Sequence, residues 1–148
     1  YLRKLADAVH AVGGLFVLDC IASGTIWVDM DKSGIDVLIS APQKGWSASP
    51  CCALVMLSAV GLERLEKTES SSFSCDLRKW WDIMEAYENG GHAYHATMPT
   101  DSLRRFRYIM KETEEYGFEI IQQDLIKWEA SGNPDWLRDG LSLIKKVN

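Results

Sequence analysis

Asp19 and Lys44 are the two residues of this sequence whose types and places point to chemistry. Asp19 closes the apolar run Leu15-Phe16-Val17-Leu18. Lys44 follows the run Ile35 to Ile39 across the turn Ser40 to Gly45, which contains Pro42. A lysine after a strand is commonly a solvated loop residue. If partly desolvated, its amine loses basicity and becomes a nucleophile toward an aldehyde. A second charge at a matching strand end bears on that choice. In a parallel sheet both residues would lie at the carboxyl edge, where open α/β sheets bind their ligands. The same two groups in direct contact would be an ion pair.

The other reactive side chains carry less. His92 and His95 have H-x-x-H spacing but lie in a loop with no acidic third ligand nearby, so no metal site is expected. Cys51-Cys52 raises thiol chemistry close to Lys44, yet adjacent cysteines at the start of an apolar run also serve as small core residues. Trp80 and Trp81, at helical spacing with Leu77 and Met84, read as core or interface. Arg104, Arg105 and Arg107 read as a solvated helix face.

These residues need a sheet and helices to position them. Tyr1 to Val12 carries Leu2, Leu5, Ala6, Val9 and Val12 on one helical stripe, and Gly13-Gly14 stops it. Leu15 to Leu18, Ile35 to Ile39 and Cys51 to Leu57 are short apolar runs, rich in β-branched residues at Ile35 to Ile39, and read as buried strands. Pro42 ends the second strand. Asp29 to Gly34 reads as a polar connection. Ala59 to Glu66, capped by Ser58, and Asp76 to Glu88 read as helices, the second with Leu77, Trp80, Trp81 and Met84 toward a core. His92 to Pro99 is a loop. A long helix capped by Thr100 or Asp101 runs to Gly117, with Leu103, Phe106, Ile109 and Met110 as its apolar side. Phe118 to Trp128 continues as helix, Ser131 to Pro134 breaks it, and Asp135 to Lys146 is an amphipathic tail. Helix, strand, turn and strand in this order are the grammar of an α/β domain with a mostly parallel sheet and flanking helices.

The 148 residues are ordinary in composition and carry a formal net charge of −5. No basic stripe meets a phosphate backbone, which argues against nucleic acid as a partner. No apolar run approaches membrane-spanning length. Four cysteines without a C-x-x-C pair fit reduced thiols in a cytoplasmic protein. The sequence opens on Tyr1 in mid-helix and is expected to be a piece of a longer protein.

V-L-D-C-I-A-S, then S-A-P-Q-K-G-W, then Y-H-A-T-M-P resembles the class V branch of the fold type I pyridoxal-phosphate aminotransferases, within it the alanine-glyoxylate and serine-pyruvate group. The resemblance runs from Tyr1 to about Gly117. It implies an α/β fold in which residues 1–100 are part of the large cofactor-binding domain and residues 101–148 a helical segment leading toward a small domain. It implies pyridoxal 5'-phosphate as cofactor and transamination between a small amino acid, alanine or serine, and a small 2-oxoacid, glyoxylate or pyruvate. Lys44 would bond covalently to the cofactor aldehyde, Asp19 would pair with the pyridine nitrogen, Ile21 would pack on the ring face, and Gln43 would lie near the cofactor's polar edge. Tyr94 and Thr97 match positions that reach the cofactor phosphate of the neighbouring subunit in a homodimer.

The chemistry explains why those residue types suit those places. Taking the proton from an amino acid's α-carbon leaves electrons that need a protonated pyridine ring to receive them, and a carboxylate such as Asp19 keeps that ring protonated. A freed lysine amine then moves the proton between carbons. The loop Gly90 to Thr97 offers hydroxyls and no acid, which suits a phosphate. An upstream phosphate cup, a stacking aromatic and a downstream carboxylate-binding arginine, also implied by the resemblance, are not identified, so the chain alone is expected to turn over weakly or not at all. Other class V reactions, desulfuration or phosphonate-linked transamination, are the enzymatic alternatives. Against desulfuration, Gln43 stands where a histidine is expected. The non-catalytic alternative is a truncated or degenerate relative in which Asp19 and Lys44 pair with each other and the role is structural or dimer-forming.

Overall fold

The computed structural model describes residues 1–23 and 26–131. The expected break at 132–134 and the tail at 135–146 lie outside them. In chain order the elements are α1 (Leu2–His10), β1 (Val17–Asp19), α2 (Met30–Ser33), β2 (Val37–Ser40), β3 (Leu54–Leu57), α3 (Ala59–Glu66), α4 (Leu77–Glu88), α5 (Thr100–Tyr116) and α6 (Phe118–Ser131). The strands form one sheet in the order β1-β2-β3. At the entries of β1 and β2, the Phe16 carbonyl accepts from the amides of Asp36 and Val37 at 2.9 and 3.2 Å, so these strands run in parallel. Ser58, just past the exit of β3, donates its amide to the Asp36 carbonyl at the entry of β2 at 2.9 Å. β3 is therefore antiparallel to β2 and the sheet is mixed.

Asp29 to Gly34, expected as a polar connection, contains the single-turn helix α2. The Asp29 carboxylate accepts the Lys32 amide at its start, and Gly34, at φ 71°, closes it in the left-handed region. A side chain at Gly34 would also stand 2.9 Å from Cβ of Ala6 on α1, which is wholly buried.

The chain folds as two compact units. The first comprises Tyr1–Leu18, Asp29–Ile39 and Val55–Pro99. Its organising group is Asp36, 4% exposed, inside a run the sequence presents as apolar. One carboxylate oxygen accepts the Phe16 amide at 2.7 Å and meets His10 Nε2 at 2.7 Å; the other accepts the Ser58 hydroxyl at 3.3 Å. Burial alone would push this carboxyl's pKa up. The Phe16 amide, His10 and Ser58 outweigh that and hold it below the ordinary aspartate value. One side chain thus ties α1, the entry of β1 and the β3–α3 junction to β2.

Ser58 also caps α3 by accepting the Gly61 amide at 3.1 Å. Gly61 is buried against the backbone of Asp36, and a methyl group placed there would lie 2.6 Å from the Asp36 carbonyl oxygen. Because backbone must yield, Gly61→Ala is expected to lower stability by about 1–3 kcal/mol, read as a lower urea midpoint, despite alanine's better helix propensity. On α4, Asp76 accepts the amides of Arg78 and Lys79 as its cap. Trp80 and Trp81 are half-buried, but Met84 is 57% exposed, so the apolar stripe outruns the surface that covers it in this chain.

The second unit comprises Asp19–Val28, Ser40–Leu54 and the chain from Thr100 onward. Four aromatic rings cluster in it. Trp27 meets Trp46 edge-on at 5.3 Å and Phe118 at 4.7 Å, and Trp46 meets Phe106 at 5.6 Å. Such pairs contribute roughly 0.5–1.5 kcal/mol each beyond the area they bury. Phe106, 4% exposed, is the buried residue of α5.

Candidate active site

Asp19 is the last residue of β1 and its side chain is exposed, while Cys20 behind it is buried. One carboxylate oxygen accepts the Ile21 amide at 2.9 Å, which fixes the direction of the group and places half-buried Ile21 beside it. This is an Asx-type turn leaving the strand.

Lys44 follows the exit of β2 by four residues in a folded-back turn. The Pro42 carbonyl accepts the Ala48 amide at 3.0 Å and the Lys44 carbonyl accepts the Ser47 amide at 3.0 Å. Ser47 takes φ 54°, the left-handed region that lets so short a turn close. The stem is rigid for identifiable reasons: Ala41 and Pro42 are buried, and Trp46 is held by the aromatic cluster. From that stem Gln43 and Lys44 project as exposed side chains. The sharper expectation from sequence, a partly desolvated amine, is therefore not what this chain presents; Lys44 is solvated. The packed stem holds the turn and leaves the amine outside.

β1 and β2 are parallel neighbours, so Asp19 and Lys44 leave the same edge of the sheet within one compact unit. Neither residue enters an ion pair among the described residues. The arrangement in which the two neutralise each other is thus absent, and both groups remain available to a third molecule.

Tyr94 and Thr97 lie in the first unit, in the loop between α4 and α5. The structure brings them together: their hydroxyls are hydrogen-bonded at 2.9 Å, and Tyr94 is 79% exposed. The loop is pinned by the residue between them. His95 Nε2 donates to the Phe73 carbonyl at 2.8 Å, its ring lies 4.3 Å from that of Phe73, and Trp80 meets it edge-on at 5.2 Å. Trp80 in turn donates its indole N–H to the Ser74 carbonyl at 2.9 Å. His95 thus serves the loop's conformation, with no part in a metal cluster among the described residues. Sequence reasoning paired His95 with His92 and missed this anchor. The aromatic residues Phe73 and Trp80, distant in sequence, gave no spacing signal.

Arg107, read as part of a solvated face, lines with Trp46, Met110 and Phe118 a groove of about 260 Å³.

No family model matches the chain. Its fold is that of the aminotransferases of fold type I. It superposes with TM-score 0.71 on the alanine–glyoxylate aminotransferase of Nostoc sp., at 20% identity over 84% of this chain and 33% of that one. For the ureidoglycine–glyoxylate aminotransferase of Bacillus subtilis the TM-score is 0.60, at 22% identity over 84% of this chain and 32% of that one. By sequence the chain is similar to aminotransferases. It is 31% identical to alanine–glyoxylate aminotransferase 1 of Saccharomyces cerevisiae, over 95% of this chain and 37% of that protein. It is 32% identical to the 2-aminoethylphosphonate–pyruvate transaminase of Vibrio parahaemolyticus, over 78% of this chain and 31% of that protein. The chain spans about a third of the length of these relatives.

Proposed function

We propose that this chain is the lysine-bearing part of a pyridoxal 5'-phosphate-dependent aminotransferase that exchanges an amino group between alanine or serine and glyoxylate or pyruvate. The observation that carries the reading is the pair Asp19 and Lys44, leaving one edge of the sheet on adjacent parallel strands and unpaired with each other. The donor set fits the cofactor. An exposed amine suits its aldehyde, an oriented carboxylate suits its ring nitrogen, Ile21 offers an apolar face, and Gln43 a polar edge. When bound, the cofactor supplies the electron-withdrawing ring that makes an amino acid's α-proton removable. Asp19 keeps a proton on the ring nitrogen, and Lys44 takes and returns the α-proton.

In this proposal residues 1–100 belong to the cofactor-binding domain and residues 101–148 lead to a second domain. The complete protein is a cytoplasmic homodimer in which the Tyr94–Thr97 hydroxyl pair binds the cofactor phosphate of the partner subunit. Among the described residues no helix is long and apolar enough to cross a membrane. Turnover by the isolated 148-residue chain is expected to be weak or nil.

The test uses the complete protein mixed with pyridoxal 5'-phosphate. A visible absorbance band should form, and borohydride should fix the cofactor to Lys44, so that trypsin no longer cuts there and a peptide 33–64 appears in place of 45–64. Attachment elsewhere, or none, contradicts the reading. Thr97→Ala and Tyr94→Phe should each weaken cofactor binding roughly tenfold to a hundredfold, the effect of a hydrogen bond to a charged group, without changing the position of the band.

The names of several relatives favour a second reading, in which 2-aminoethylphosphonate is the amino donor and pyruvate the acceptor. A panel of alanine, serine and 2-aminoethylphosphonate as donors separates the two by kcat/KM.

A further inference from the structure

Cys51 and Cys52 are neighbours in sequence, and their sulfur atoms are 3.8 Å apart. Along an extended strand, consecutive side chains point to opposite faces, which would send adjacent thiols apart. These two precede β3, in irregular backbone just after Pro50, and both thiols turn to one side. Each residue is half-buried, and neither is in a disulfide. Burial, with the neighbouring Cys51 thiol, pushes the Cys52 thiol up to about 11, so Cys52 stays protonated at neutral pH. That disfavours chemistry that begins with a thiolate, such as alkylation or disulfide exchange. It leaves open chemistry in which the thiol proton departs with a leaving group.

We propose that Cys51 and Cys52 form a chelating dithiol site for trivalent arsenicals of the type R–As(OH)₂. In the reaction both As–O bonds break and two As–S bonds form, one to each cysteine. Each thiol proton leaves with a hydroxide as water. Two waters are released, arsenic remains trivalent, and neither oxidant nor reductant is required. The pre-set separation of the sulfurs makes the second bond intramolecular, which multiplies the affinity of a single thiol by a factor on the order of 10² or more. Cys20, buried, and Cys75, exposed, have no such neighbour among the described residues and would hold arsenic by one bond only. The site uses neither Lys44 nor Asp19, so it stands or falls independently of the proposed transamination.

The test treats the protein with phenylarsine oxide and maps it with trypsin. Cys51 and Cys52 share the peptide 45–64, bounded by Lys44 and Arg64. That peptide should carry one phenylarsenic group in place of two thiol hydrogens, resist a large excess of a monothiol, and release the group to 2,3-dimercaptopropanol. Cys51→Ser and Cys52→Ser should each lower affinity roughly 10²-fold or more and make the adduct reversible by monothiol, whereas Cys75→Ser should change neither property. Recovery of the unmodified peptide 45–64 at saturating reagent overturns the proposal. So does release of the wild-type adduct by monothiol, or undiminished affinity in either serine variant. Should a serine variant fail to fold, the wild-type peptide map and the contrast between monothiol and dithiol decide the matter.

Discussion

Lys44→Ala in the complete protein is expected to abolish the visible absorbance band formed with pyridoxal 5'-phosphate and to lower kcat/KM by on the order of 10⁴-fold. Two losses combine. The amine proposed to bond to the cofactor would be gone, and so would the base proposed to move the α-proton, a role worth about 10²–10⁴-fold by itself. Lys44→Arg should be almost as damaging, because a guanidinium keeps the charge but neither forms the covalent bond nor deprotonates. This pair of variants separates the catalytic account from an electrostatic one. If the exposed amine served only solubility or a surface contact, arginine would restore function and alanine would cost little. The packing predicts that both variants fold normally. Lys44 projects from a stem held by buried Ala41 and Pro42 and by the contacts of Trp46, and its own side chain packs into nothing that would collapse. Far-UV circular dichroism and urea midpoints should therefore match the parent. Activity within tenfold of wild type in either variant would remove Lys44 from the mechanism.

Asp19→Asn is the companion experiment. It keeps an oxygen to accept the Ile21 amide, so the turn survives while the charge that would hold a proton on a ring nitrogen is lost. A loss of turnover with cofactor still bound is the expected split.

The places of Asp19 and Lys44 at and beyond the ends of β1 and β2 were legible in the sequence because each apolar run has an end that is marked locally, by a charge in one case and by Pro42 in the other. Parallel pairing of β1 and β2 was expected from the order of helix, strand, turn and strand. The antiparallel course of β3 was not legible. A 13-residue connection between β2 and β3 suits either direction, and the direction shows only in the folded chain, where the Ser58 amide reaches the Asp36 carbonyl. Between the solvated and the desolvated readings of Lys44 the sequence did not decide, since burial of a turn's stem and exposure of its tip depend on what packs beneath it. The helix cap at Ser58 was read correctly, where the signal is a side chain beside its own helix, whereas Asp76, read as the first helical residue, proves to be the cap of α4. The helix α2 escaped because four residues carry too little periodicity to register. Asp36 escaped for a more general reason. A carboxylate inside an apolar run reads as an interruption, and its three partners come from positions 10, 16 and 58, which no local pattern connects.

Asp36→Ala is expected to destabilise the fold by about 2–4 kcal/mol, the largest stability effect of any single substitution considered. The variant strands the Phe16 amide and the Ser58 hydroxyl in a partly buried setting and releases His10, which loosens α1 and the entry of β1 together. His10→Ala should cost less than half as much, since its side chain is 37% exposed and water can replace part of what it gives. The pH dependence distinguishes the ionised carboxylate from a merely well-packed side chain. Its pKa is lowered in the folded protein relative to the ordinary value of 3.8, so the unfolded chain binds the proton more readily. The stabilisation is therefore present in full above 3.8 and is lost as pH falls through the lower, folded value. Asp36→Asn, which keeps the shape and removes the ionisation, should consequently differ most from wild type near neutral pH and converge on it as pH falls below about 3.8. Urea midpoints of wild type, Asp36→Asn and Asp36→Ala measured across that range give the answer directly. A gap between wild type and Asp36→Asn that stays constant into acid would mean that the carboxylate is held by shape alone. The mixed sheet would then need a different explanation for how α1 and α3 are fastened to β2.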